Sequence, residues 1–207
     1  MVTALLTNLS LGGNMQNLFV VVSSLVGMIA YGIYYKDIKS SSIQPNKWVW
    51  MTFGITTIME ALTYSEVSSG PARVIFFISA GCCLVVTWLI WSRAKWDKPS
   101  WEEFFCLAAC VLAVILWLGF QETLWAHMLM VISVPVAFIP SYREVFKDHV
   151  SEDTHAWMIW TIGDMLALVL ILGTRSDWES FPYAVVEAMS HAGMWIMVSR
   201  GRRKVSN

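Results

Sequence analysis

The length of its apolar runs constrains this chain more than any other feature. Seven stretches follow one another with short polar connections, at 15–35, 47–63, 71–91, 104–120, 124–146, 156–172 and 181–199. Each is roughly the 17–23 residues that cross a bilayer as a helix. Hydrocarbon offers no partner to backbone N–H and C=O groups, so such runs fold as helices that satisfy themselves. Composition agrees. Of the residues, 57% are hydrophobic and only 14% charged, whereas a soluble domain carries about 25% charged residues. The mean hydropathy is +0.57. The expected fold is all-α, with seven transmembrane helices in a lipid bilayer. A formal net charge of −1 gives no reason to expect a nucleic-acid partner.

Lysine and arginine set the orientation, because cytoplasmic loops hold them in excess. Lys36, Lys39 and Lys47 follow the first run, and Arg93, Lys95 and Lys98 the third. Arg143 and Lys147 follow the fifth, and Arg200, Arg202, Arg203 and Lys204 the seventh. These are twelve of the fourteen basic residues; only Arg73 and Arg175 fall on the other side. The N-terminus is expected outside and the C-terminus in the cytoplasm, as an odd number of crossings requires. A plasma or bacterial inner membrane is the expected location. Residues 1–14 carry no Lys or Arg and so lack the basic start of a signal peptide. Cys82, Cys83, Cys106 and Cys110 lie inside apolar runs. They read as small buried hydrophobes rather than a disulfide frame or a zinc site. No metal and no cofactor are expected.

A weak internal repeat runs through the chain. Trp48 and Gly54 match Trp157 and Gly163 at an offset of 109, which also places Thr52 on Thr161. Tyr34-Tyr35-Lys36-Asp37 matches Val145-Phe146-Lys147-Asp148 at 111, and Trp88, Ser92 and Arg93 match Trp195, Ser199 and Arg200 at 107. The order is kept and the drift is small. The sequence thus divides into a first triple-helix bundle at 1–91, a linker helix at 92–123 and a second bundle at 124–207. A single linking helix gives both bundles the same orientation. Such halves often build transporters with the solute path at their junction.

Ionisable groups in a span cost about 2.5–3.5 kcal/mol each and usually face the bundle interior. Asp164 lies near the middle of the sixth run, Glu187 and His191 one turn apart in the seventh, and Glu60 near the outer end of the second. Helical spacing puts Trp48, Thr52, Thr56 and Glu60 on one face, and Ser79, Cys83 and Thr87 on another. Trp157, Trp160 and Asp164 form a third stripe, and Glu187, His191 and Trp195 a fourth. Together they predict a polar path edged with indole rings: Asp164, Glu187, His191, Trp160, Trp195, Thr52, Thr56, Glu60, Ser79 and Thr87. The plainer account makes the hydroxyls interhelical glue and the Trp48 and Trp157 rings an interfacial belt. It makes Glu60 a solvated end and His191 an interior histidine bonded to Glu187. Asp164 fits that account least and is the expected proton-coupling residue, since burial moves a carboxyl toward neutrality. Pro135 and Pro140 interrupt the fifth run and, with Gly163, are the expected hinge.

Pro140-Ser141-Tyr142-Arg143, a polar turn, and then Trp157 to Gly163-Asp164 resemble a PQ-loop repeat. The three-one-three layout is similar to the SWEET sugar transporters and to the nicotinamide riboside transporters. The resemblance implies an acidic coupling residue at Asp164. It departs from the pattern at Ser141, where the family has glutamine, and at Ile29-Ala30 in the first copy. The runs at 71–91 and 181–199 contain no asparagine, the residue SWEET proteins use there for sugar hydroxyls, so a sugar is disfavoured.

The leading expectation is a transporter of a small polar solute, cationic, zwitterionic or aromatic, with a proton as its coupling ion. A homo-oligomer is compatible with the sequence. The alternative is a membrane receptor or sensor on the same fold, as KDEL-type receptors resemble it. A retinal protein needs a lysine inside the last span, which is absent. No H-E-x-x-H or G-x-S-x-G motif occurs, so an enzyme is not expected.

Overall fold

A computed structural model describes residues 12–67, 70–93, 98–147, 152–174 and 181–205. Lys95, Asp148 and Arg175 lie outside these residues, as do the side chains of Arg202, Arg203 and Lys204. Among the described residues there are seven helices and no strand. They are α1 Gly13–Lys39, α2 Lys47–Val67, α3 Arg73–Arg93, α4 Trp101–Val114, α5 Thr123–Lys147, α6 Thr154–Thr174 and α7 Phe181–Val205. A π-helical turn at Ile115–Gly119 continues α4.

Local chemistry starts the helices. Asn46 Oδ1 accepts from the Trp48 and Val49 amides, and Asp153 Oδ1 from the Ala156 amide. Ser100 and Glu103 form a reciprocal capping box. That S-x-x-E pattern starts α4 at Trp101, three residues before the apolar run begins. At the other end of α1, the Arg93 guanidinium donates to the carbonyls of Ile38 and Lys39, where a cation is favoured. Pro135 and Pro140 both lie inside an unbroken α5. A membrane helix tolerates proline because neighbouring groups and local adjustments satisfy the freed carbonyls.

Five helices are long and apolar enough to cross a membrane: α1, α3, α4 with its π turn, α5 and α6. The expectation of seven such runs is met for helix number but not for apolarity, since α2 and α7 fall short. Packing explains the difference. Large apolar side chains are exposed along α1, α3, α4, α5 and α6, but α2 contributes none of them and α7 only Met189 and Ile196. The two helices most withdrawn from the outer surface are those that carry Glu60, Glu187 and His191.

The neighbour relations are regular. α3 packs against both α1 and α2, and α7 against both α5 and α6. Across the molecule α1 lies on α6 and α2 on α5, while α4 packs on α5 and α2. Arg143 of α5 pairs with the Glu102 carboxylate of α4. Glycines set two of the close approaches. A Cβ on Gly54 would lie 3.0 Å from Thr87 Oγ1, and one on Gly163 would lie 3.5 Å from Val26 Cγ1. Gly81 has open space around it.

Gly54→Ala should therefore destabilise the fold by about 1–3 kcal/mol through overpacking. Gly81→Ala should leave stability unchanged or raise it by up to about 1 kcal/mol. Thermal unfolding in detergent compares them, and equal midpoints would contradict the packing argument.

Candidate functional site in the bundle interior

Asp164 and His191 meet across α6 and α7, with Oδ2 2.6 Å from Nδ1. The pairing of His191 with Glu187 expected from helical spacing is thus corrected. Residues four apart share a face, but the imidazole turns sideways to the neighbouring helix. Three aromatic rings enclose it. Trp160 stacks on it at 5.8 Å, and Trp157 and Phe138 lie at 5.4 and 5.5 Å. With Nδ1 engaged, Nε2 is the nitrogen that can exchange a proton with an incoming group.

The pair borders two small interior cavities. The first, about 40 Å³, lies among α1, α3, α6 and α7 and is lined by Ser24, Tyr31, Ser79, Trp160, Asp164 and Glu187 with His191. The second, about 20 Å³, lies deeper, against Trp50, Phe53, Thr56, Phe138 and Trp157. Tyr31, Trp160, Glu187 and His191 line both and form the wall between them. A water needs about 10–15 Å³ in this measure, so the space holds waters but no solute. Two polar atoms on the lining meet no partner among the described residues: Trp160 Nε1 and Ser24 Oγ. A buried indole N–H usually finds an acceptor, and here the cavity is where one can sit.

Aromatic clusters lie against the cavities. Toward the Lys39 end, Tyr34 packs on Trp50 at 4.8 Å and on Trp160 at 5.3 Å. Its hydroxyl donates to Glu152 Oε2 at 2.6 Å and accepts from Trp50 Nε1 at 3.2 Å, while Trp157 Nε1 donates to the same carboxyl at 3.1 Å. Tyr34, Trp50, Glu152 and Trp157 are all buried. Burial pushes the Glu152 carboxyl up to about 8. At the other end Phe76 lies between Tyr64 and Tyr183, at 4.9 and 5.9 Å.

The remaining expected path residues divide. Ser79 Oγ hydrogen-bonds Tyr31 at 3.1 Å and lines the first cavity. Thr56 lines the second while donating to the Phe53 carbonyl. Thr87 of α3 donates to the Trp50 carbonyl of α2, as the interhelical-glue account has it, whereas Thr52 donates to the Trp48 carbonyl of its own helix; neither lines the two cavities. Trp195 packs half-buried against the core. Gly163 serves the α1–α6 contact, its carbonyl accepting from Ser23 Oγ at 2.9 Å. Glu60 is not a solvated end. It is fully buried beside His127, away from both cavities. Sequence reasoning passed over Ser24, Tyr31, Tyr34 and Glu152. The signal was there for three of them, as polar side chains at intervals along an otherwise apolar α1. Glu152 sits in a turn, where a carboxylate ordinarily signals nothing.

Two outcomes test this geometry. A double-mutant cycle with Asp164→Asn and His191→Gln should give a coupling of about 0.5–3 kcal/mol in unfolding, and a smaller one for Glu187→Gln with His191→Gln. The order of these couplings is the deciding result. Glu152 holds a proton between about pH 4.5 and about 8 that an unfolded chain has released. Stability should be greatest below that window and fall through it, by at most about 1.4 kcal/mol per pH unit. Glu152→Gln should flatten the slope; equal slopes would rule the role out. Comparison with family models, with curated proteins and with solved structures gives no match for this chain.

Proposed function

We propose that this chain is a membrane transporter of a small polar solute, working by alternating access between two triple-helix bundles joined by α4. The observation that carries the reading is the interior cavity among α1, α3, α6 and α7. It holds Asp164, His191 and Glu187 beside the unpartnered donor of Trp160, within reach of four helices. Ionisable groups withdrawn from lipid around a small polar space are what a solute and its coupling ion need. Two carboxyl groups with indole and phenol faces favour a cationic, zwitterionic or aromatic-ring solute over a sugar.

The packing supports two like bundles. In each, the third helix lies against the first two, and the bundles meet crosswise through α1–α6 and α2–α5. Two hydrogen bonds repeat within this frame. Tyr31 meets Ser79 at 3.1 Å, and Tyr142 donates to the Ser190 carbonyl at 2.8 Å; both pairs are 48 residues apart, at an offset of 111. Thr52 and Thr161, equated by the sequence repeat, both donate to the carbonyl four residues back. On this reading Asp164 couples transport to a proton, the N-terminus faces outside, and the aromatic clusters beside the cavities part in turn.

The test begins with a thermal-stability screen of purified protein against amines, amino acids, vitamins and sugars, since a ligand stabilises in proportion to its binding. A hit is then followed into proteoliposomes. Transport predicts accumulation driven by a pH gradient, and Asp164→Asn should abolish that accumulation while leaving solute exchange. Saturable binding without flux would replace this reading with a receptor or sensor.

A further inference from the structure

A second acidic residue lies in the dry interior, outside the site described above. Glu60 of α2 is fully buried, as is His127 of α5, and Oε2 lies 3.0 Å from Nδ1. Thr63 Oγ1 is 3.5 Å from the same nitrogen, and its own proton goes to the Met59 carbonyl at 2.7 Å. Neither carboxylate oxygen of Glu60 meets a donor in line. The surroundings are apolar, with Met59, Cys110, Ala113, Ala126 and Met130 packed as one cluster. Neither interior cavity reaches the pair.

We propose that Glu60 and His127 form a proton-binding site, separate from the Asp164–His191 cavity, that holds one proton while the α2–α5 seam is closed. With one proton between them the pair is neutral overall, either as two neutral groups or as an ion pair. Without it the site carries an uncompensated negative charge, which such surroundings penalise by several kcal/mol. Neither interior cavity reaches it, so the proton is the ligand that fits. Release requires water, and water requires α2 and α5 to part. The other titratable groups that act on the pair are Tyr183, whose ring lies 6.3 Å from that of His127, and Glu187 of α7. Glu187 interacts electrostatically with Glu60. A proton lost from one site therefore disfavours charge in the other, linking the seam to the central cavity. The site does not depend on the transport reading.

The test compares the pH dependence of unfolding of the full chain in detergent, wild type against Glu60→Gln. Above about pH 7.5 an unfolded chain holds essentially no proton on either group. A folded pair that keeps one loses stability as pH rises, by about tenfold in the folding constant per pH unit. The wild-type curve should fall more steeply than that of Glu60→Gln by that factor, and parallel curves overturn the site. Should Glu60→Gln not fold, ¹⁵N-histidine NMR of the wild-type protein decides. The His127 ring signals should change in a single step above about pH 6.5, whichever atom carries the proton, and the step should persist in Asp164→Asn. A step centred at or below about pH 6.5 overturns the proposal.

Discussion

The cost of desolvating charge is the constraint on which the rest of this structure depends. Asp164, Glu187, His191 and Glu60 lie within runs of apolar sequence, and none could face hydrocarbon at tolerable expense. The bundle solves this by position. α2 is walled in by α3, α4 and α5, and α7 by α5 and α6. These two helices show the lipid-facing surface almost nothing apolar, and so have room for polar side chains. The same withdrawal explains why they alone miss the apolarity of a membrane span. Enclosure and polarity are one fact seen from two sides.

Within that enclosure, aromatic rings do what solvent would do elsewhere. Trp157, Trp160 and Phe138 surround the His191 imidazole. Tyr34 joins this group to Trp50 and to the Glu152 carboxyl. Rings pack densely, lose few rotamers and still offer an N–H or O–H at one edge. They can therefore line a cavity and bond across it. The cluster near Glu152 ties α1, α2 and the start of α6 together through four buried side chains. It holds the Glu152 carboxyl, which burial pushes up to about 8.

The proposed duplication sharpens the contrast between the halves. Tyr31–Ser79 and Tyr142–Ser190 are matching anchors between first and third helices. At the offset of 109, however, Ile55 stands where the second copy has Asp164. Ile55 packs beside Met59 and Cys110, whereas Asp164 meets an imidazole. Acidic function in the first half falls instead on Glu60, one turn further along α2 and at a different junction. A symmetric frame thus holds an asymmetric set of charges.

Apolar run length determined the helical class and the number of helices, because hydrocarbon leaves a spanning backbone few alternatives. Helical spacing also placed Asp164, Glu187, His191 and Trp160 on inward faces, since period alone decides which side chains share a side. Spacing along one helix says nothing of which neighbour lies opposite. The pairing of Asp164 with His191, the burial of Glu60 against His127 and the recruitment of Glu152 by Tyr34 were settled only when α1, α2, α5, α6 and α7 came together. Each of those contacts spans 27 to 118 residues of sequence, and a contact of that kind is set by the rotation and approach of packed helices, to which the local pattern of residues is blind.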